Sequence, residues 1–335
     1  KTVLQDRPLD LLLNTHLHSD HCGGNAALQV QFPALRTHIP PGGSDDIAQW
    51  KTEALSYDAT GQSCPRFRFD ALLAPGSSMM LAGSEWEVHA APGHDPHAIL
   101  LFAPETRVLI SADALWEDGF GVVFPELEGM TAFAEVDATL RLVESLSPRT
   151  VIPGHGPIFT DVPRALERAR RRLDYFVGQP ERHDLYAAKV LVKFKLLELQ
   201  QCTMQELEDW AKQTPYIASL QRRIFPDQSS AAIAETLVAA LVKAGAAQRD
   251  GNFAGGPQIF DPQTYASASN SRQPFAGNTI PKSRFGVMGN AALEYFPAPN
   301  SPGSPAFNNV TSASSLSDGD QFHGRIDHTI GAWRD

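Results

Sequence analysis

Through about residue 160 the chain is punctuated by short apolar runs closed by glycine or proline; beyond that point a helical period takes over. Leu9-Asp10-Leu11-Leu12-Leu13 reads as a short buried strand, and residues 24–31 as a helix that leaves a glycine turn. Arg36-Thr37-His38-Ile39 reads as a strand stopped by Pro40-Pro41-Gly42-Gly43. Residues 45–57 have helical character, with Ile47, Trp50, Ala54 and Leu55 on one face. Residues 61–64 read as loop, and 67–91 as strands turning at Pro75-Gly76 and Ala82-Gly83. The runs 98–102 and 107–110 form a hairpin around Ala103-Pro104-Glu105-Thr106. Residues 116–128 are loop-like, and their apolar Phe120, Val122, Val123 and Phe124 suit a pocket wall and core packing equally. A helix over 130–146 then leads into the strand Thr150-Val151-Ile152.

From Asp161 the pattern turns helical, opening at Val162-Pro163 with Ala165, Leu166, Ala169, Leu173 and Phe176 on one face. The opposite face carries Arg164, Arg168, Arg170, Arg171 and Arg172, a solvated face by default and an anion-binding patch as the alternative. Residues 187–250 read as three helices and a short terminal strand, the later helices covering 204–212 and 231–244. After about Asn252 glycine, proline, asparagine and serine dominate and the period vanishes, predicting an irregular tail. The predicted domains are therefore 1–160, 161–250 and 251–335.

Composition adds bounds. At 335 residues and 42% hydrophobic content, the chain can build a substantial core in more than one domain. A net charge of -10 argues against broad DNA binding. No apolar run approaches the ~20 residues of a membrane helix, so no membrane role is expected of the first domain. Three widely spaced cysteines, Cys22, Cys64 and Cys202, show no disulfide framework and fit a cytoplasmic setting. Cys22 reads as a small buried residue.

The chemistry gathers behind the first strand. His16, His18, Asp20 and His21 fall within six positions, followed by Cys22-Gly23-Gly24. Imidazoles with a carboxylate at a strand's end suit zinc, manganese or iron better than calcium or magnesium. Pro92-Gly93-His94 adds an imidazole, Ser111-Ala112-Asp113 a carboxylate and Pro153-Gly154-His155-Gly156-Pro157 a further imidazole. Each follows a strand-like run, where layered α/β folds collect functional loops. His38, His89 and His97 have no such setting and read as structural.

These motifs resemble the metallo-β-lactamase-fold hydrolases, in the glyoxalase-II-like and lactonase-like branches. The resemblance implies an α/β fold, an αββα sandwich. Because that fold opens with strands before the His-rich loop, it also implies an N-terminally truncated copy with an open flank. The helices of 161–250 resemble a winged-helix-like appendage that some members carry. Residue by residue, it implies one metal on His16, His18 and His94, a second on Asp20, His21 and His155, and Asp113 bridging both. Two zinc ions are expected, with iron or manganese as substitutes. They would share a hydroxide that attacks an ester, thioester or lactone carbonyl of a small molecule. Asp20 is expected to orient the nucleophile, and Asp113 or a newly bound water to assist proton delivery to the leaving group. The bridging carboxylate is typical of the family's thioesterase, lactonase and phosphodiesterase branches and argues against antibiotic hydrolysis. The alternatives are a phosphodiesterase or ribonuclease, with nucleic acid as a disfavoured partner, a mono-iron persulfide dioxygenase, and an inactive truncated binding module.

The last quarter resembles part of a TonB-dependent outer-membrane receptor, through residues 272–281 (RQPFAGNTIP), 294–300 (EYFPAPN) and 318–328 (DGDQFHGRIDH). Phe322, Gly324, Ile326, His328 and Ile330 alternate as a barrel strand would, yet one strand cannot close a barrel. The expectation is a fused or misjoined fragment irrelevant to the chemistry, with His323 and His328 poor ligand candidates.

Overall fold

The computed structural model describes residues 8–200, 202–250 and 309–311. The receptor-like motifs, with His323 and His328, lie outside the described residues. Two compact units divide the chain. Among the described residues, one runs up to Ala187 and includes Thr214–Ile224, while the other holds Ala188–Gln213 and the chain from Phe225 onward.

The first unit is built on two sheets. The first is parallel, in the order β1 (Leu11–Leu13), β2 (Arg36–Ile39), β3 (Ala71–Leu72), with Leu12 opposite Thr37 and His38 opposite Ala71. The second runs β4 (Ser78–Leu81), β5 (Ser84–Ala90), β6 (Ile99–Ala103), β7 (Val108–Ala112), β8 (Thr150–Pro153). It is antiparallel from β4 to β7, and β8 returns parallel to β7. Leu13 and Leu73 pack with Val88, Ile99 and Leu101, so one apolar layer serves both sheets. That layer fits the sandwich the sequence implied. The expected hairpin is present, pairing Phe102 with Leu109.

Helices fill the connections: α1 (Ser19–Cys22), α2 (Asn25–Gln31), α3 (Ser44–Gln49), α4 (Tyr57–Thr60), α5 (Phe124–Leu127), α6 (Phe133–Leu146) and α7 (Val162–Gly178). Then come α8 (Pro180–Leu199), α9 (Met204–Gln213), α10 (Pro215–Ile224) and α11 (Ser230–Lys243). Two readings change. The helix expected over 45–57 breaks at Trp50, which adopts a left-handed φ of 57° and turns the chain before α4. Residues 187–250 hold four helices rather than three, the unexpected one being α10, which opens at Pro215. In the second unit α9 packs on α11, and β9 (Gln248–Asp250) pairs antiparallel with β10 (Asn309–Thr311). Among the described residues no helix is long and apolar enough to cross a membrane.

The arginine face of α7 is largely engaged within the first unit. Arg168 reaches Asp118 at 2.8 Å, Arg170 reaches Glu144 at 2.7 Å, and Arg171 pairs with Glu167. Arg172 lies over the Tyr186 ring and donates to the Phe120 carbonyl at 3.3 Å.

His183, early in α8, fastens the 116–128 segment. Its Nε2 accepts the Val123 N–H at 3.0 Å, and its ring meets the edges of Phe133 and Phe176. Burial, reinforced by Arg223, pushes its pKa down to about 4. The folded pKa lies below the unfolded value, so the folded chain binds fewer protons between the two. The stabilisation is full above about pH 6.5 and is lost as pH falls toward 4, with roughly 2 kcal/mol gone by pH 5. His183→Gln should therefore be less stable than wild type at pH 7, with the gap in Tm narrowing by pH 5. A gap that stays constant with pH would show that His183 is not the titrating group.

Candidate metal centre

The loops after β1, β5, β7 and β8 converge. Asn14 begins the first, accepting from Asn25 Nδ2 at 2.7 Å and donating to the His21 carbonyl at 3.2 Å. This buried pair ties the turn at α1 to α2. Asp113 follows Ala112, which holds a left-handed φ of 49° beyond a β7 bulge. That conformation is strained for a residue other than glycine, and here it aims the next carboxylate inward.

The structure brings all seven sequence-selected side chains together in two groups, His16, His18 and His94, and Asp20, His21, Asp113 and His155. Within each group the candidate donor atoms lie within 4.8 Å of one another. His18 Nδ1 is 2.8 Å from His94 Nε2. Asp113 Oδ2 stands between the groups, 3.4 Å from His94 Nε2, 3.4 Å from His21 Nε2 and 3.5 Å from His155 Nε2. Asp20 Oδ2 is 3.2 Å from His155 Nε2 and 3.5 Å from His21 Nε2. His38 lies on β2 and His89 on β5, the latter 2.9 Å from Glu87, and neither joins the groups. His97 is exposed, and its backbone N–H donates to Asp95 at 2.7 Å.

Supporting contacts fix the rings. His94 Nδ1 donates to the Val122 carbonyl at 2.6 Å, which turns the Nε2 lone pair toward the centre. His18 Nε2 faces Asp95 at 3.5 Å. Trp116 Nε1 donates to Asp113 Oδ1 at 3.2 Å, and its ring meets His155 edge-on at 5.2 Å. No sequence signal points to this role, because residue 116 is three positions past Asp113 in an irregular segment. Phe124 packs against His18 and His94 and stacks on Tyr216, whose hydroxyl donates to Glu128. Phe120, Val122 and Val123 are core residues, so the 116–128 segment serves both purposes the sequence left open.

The charges separate the two groups. Burial, then the neighbouring His21, holds His16 well below its ordinary range, and burial brings His18 and His94 down to about 4. These three stay neutral and keep lone pairs available. In the second group burial opposes ionisation and loses. His155 and His21 hold Asp113 well below the usual carboxylate range, and His21 and His155 do the same for Asp20. Against its own burial, His155 is raised to about 10 by Asp113, then Asp20.

His16 Nε2 is buried with no hydrogen-bond partner, an arrangement that costs energy unless a further atom accepts its lone pair. Three neutral imidazoles beside two carboxylates and two more imidazoles could hold divalent cations.

Residues 2–155 match the family model of the metallo-beta-lactamase superfamily. This part of the chain is a metallo-beta-lactamase superfamily domain. The hydroxyacylglutathione hydrolase of Trichormus variabilis is 30% identical over 147 residues, 42% of this chain and 46% of that protein. Another, GloC of Haemophilus influenzae, is 28% identical over 162 residues, 46% of this chain and 72% of that protein. The chain thus spans about half the length of the first of these relatives and under three quarters of the second. A metallo-beta-lactamase family protein from Thermus thermophilus aligns at 20% identity and a TM-score of 0.40, covering 72% of this chain and 77% of that one. Residues 228–334 match the model of an outer membrane beta barrel domain, in keeping with the receptor-like resemblance and starting upstream of the expected boundary at 251.

Trp116→Phe keeps an aromatic ring against His155 but removes the N–H on Asp113 Oδ1. Metal affinity, read by chelator competition, should fall ~10-fold. Unchanged affinity would remove Trp116 from the centre's support.

Proposed function

We propose that the metallo-beta-lactamase domain is a dinuclear metal-dependent hydrolase of small esters, thioesters or lactones. The observation that carries this reading is the position of Asp113 Oδ2, 3.4 Å from an imidazole of each group. His16, His18 and His94 would hold one cation, Asp20, His21 and His155 the other, and Asp113 would touch both. Bound there, a cation pair supplies acidified water and positive charge for a carbonyl oxygen. Asp20 stays ionised between His21 and His155 and serves as a hydrogen-bond acceptor that orients the attacking water. Asp113 is held too acidic to store a proton near neutral pH. Its main work is anchoring, and the leaving group takes its proton through water entering the cleft.

The cleft beside His16 and His18 has a volume of about 160 Å³ and is lined by Leu55, Phe124, Met130 and Tyr216, with Asp95 and Glu128 its acidic members. Lysine and arginine are missing from its described lining. Beyond the proposed cations, a phosphodiester would meet Asp95 and Glu128 with no lysine or arginine to offset them, which supports a carbonyl substrate over RNA. The relatives are named as hydroxyacylglutathione hydrolases, which makes a hydroxyacyl thioester the first substrate to test. Zinc is the expected metal, with iron or manganese as substitutes.

One preparation should undergo elemental analysis and then assays with a hydroxyacyl thioester, a lactone and bis(p-nitrophenyl) phosphate. Two metals per chain, with kcat/KM for an acyl substrate at least ~10-fold above the phosphodiester, are expected. Dominant phosphodiester turnover would sink the acyl reading. A single iron with oxygen uptake would replace it with persulfide oxidation.

A further inference from the structure

The His-x-His-x-Asp-His loop sits on a small core of its own, in which Leu17 and Cys22 meet Ile47, Leu55 and Tyr57. Cys22 is fully buried there. Its thiol donates to the Leu17 carbonyl at 3.3 Å, and its Sγ lies 3.1 Å from Tyr57 Oη and 3.8 Å from Cys64 Sγ. Cys64 is half-buried, packed against the rim of the same core and open to small solutes. Its loop is already tied to α1, because Ser19 Oγ donates to Gln62 Oε1. The two sulfurs come from segments held together in the fold, one sheltered and one accessible. That is the arrangement of a resolving and an attacking thiol. The contact with Cys22, outweighing partial burial and helped by the Tyr57 hydroxyl, holds the Cys64 thiol below its ordinary range.

We propose that Cys22 and Cys64 form a redox couple, which hydrogen peroxide closes into a disulfide that loosens the metal loop. The Cys64 sulfur, as thiolate, attacks one peroxide oxygen. An S–O bond forms, the O–O bond breaks, and the hydroxide released takes up a proton to leave as water. The Cys22 sulfur then attacks the Cys64 sulfenic acid, the S–S bond forms, and hydroxide leaves with the Cys22 proton as a second water. Two thiols lose two electrons to one peroxide.

Closure brings the sulfurs from 3.8 Å to the ~2.05 Å of a disulfide, so at least one of the two side chains must move, drawing on the segment that carries it. Cys22 follows His21 directly, and its S–H is given up in the reaction. The Leu17 carbonyl, between His16 and His18, loses that donor. The strain therefore falls on imidazoles of both groups. Cys202 is buried in the other compact unit and takes no part.

The test uses the metal-loaded full chain treated with hydrogen peroxide, denatured, alkylated with N-ethylmaleimide and mapped by mass spectrometry. A Cys22–Cys64 linked peptide is expected, with Cys202 still alkylated, reversal by dithiothreitol, and no linkage in Cys64→Ser. Oxidised wild type should also release metal to a chelator about tenfold faster than the reduced protein, while Cys64→Ser shows no such change. Full alkylation of Cys22 and Cys64 after peroxide, oxidation of Cys64 to sulfinic acid without pairing, or linkage between other partners overturns the proposal. Unchanged metal release from the disulfide form overturns it too. The release assay rests on the metal site proposed above and the linkage map does not, so the two fail separately.

Discussion

Asp113→Ala should purify with fewer than one metal per chain and lose at least ~10³-fold in kcat/KM, about 4 kcal/mol of transition-state stabilisation. One oxygen, Oδ2, lies within 3.5 Å of ring nitrogens on His21, His94 and His155, while Oδ1 is occupied by the Trp116 N–H. Deleting the carboxylate removes the side chain that, among the described residues, is positioned to touch both groups. It also strips His155 of the partner that does most to raise its pKa. What remains is three neutral imidazoles on one side, and Asp20 facing two imidazoles on the other. Asp113→Asn separates shape from charge. Its amide oxygen can still accept from Trp116, but the negative charge is gone, so metal content should stay low and activity close to the alanine variant. Elemental analysis and steady-state kinetics, with circular dichroism as the folding control, make the check. Two metals and activity within tenfold of wild type in Asp113→Ala would end its bridging role.

Gly154→Ala is expected to be the next most damaging, although it replaces no ligand. A β-carbon at residue 154 would collide with Asp113 Oδ1 and sit 2.9 Å from His21 Cε1 and 3.1 Å from the Ala112 carbonyl carbon. Asp113 cannot swing away cheaply, because Trp116 holds Oδ1 and the strained Ala112 sets the backbone. The Gly154 N–H also donates to the Ala112 carbonyl at 2.7 Å, so the two loops cannot easily part. Misplacing a reacting group by about 1 Å costs roughly 100-fold in rate, and that loss in kcat/KM is expected with weakened metal retention. Overpacking should cost about 1–3 kcal/mol of stability. Gly156→Ala is a control, since a β-carbon there meets nothing within 4 Å, although its φ of +88° brings some backbone strain. Equal activity in Gly154→Ala and wild type would mean the loop has slack that the structure does not show.

The donor types were legible because each sits just past an apolar strand-forming run and the spacing of the first four is tight. His16, His18, Asp20 and His21 are one local segment, so the chain's own connectivity holds them near each other. His94, Asp113 and His155 could be read because β5, β7 and β8 end on the same side, a topological outcome that motif order already suggests. The surroundings were not legible. Tyr216 reaches the cleft from α10, a helix the period did not reveal, and its stacking on Phe124 joins segments about ninety residues apart. His183, on an otherwise ordinary helix, binds a backbone N–H sixty positions away. The helix over 45–57 failed at Trp50, because apolar spacing does not report a left-handed residue that ends a turn. Clearance at Gly154 is likewise a property of the packed site rather than of the residue's neighbours in sequence.

The most direct measurement is a crystal structure of the metal-loaded protein with anomalous data collected at the absorption edge of whichever metal elemental analysis finds. Two anomalous peaks about 3.5–4 Å apart are expected, one against His16, His18 and His94, the other against Asp20, His21 and His155, with Asp113 Oδ2 between them. A single peak at full loading, or two peaks with Asp113 turned away from both, would contradict it.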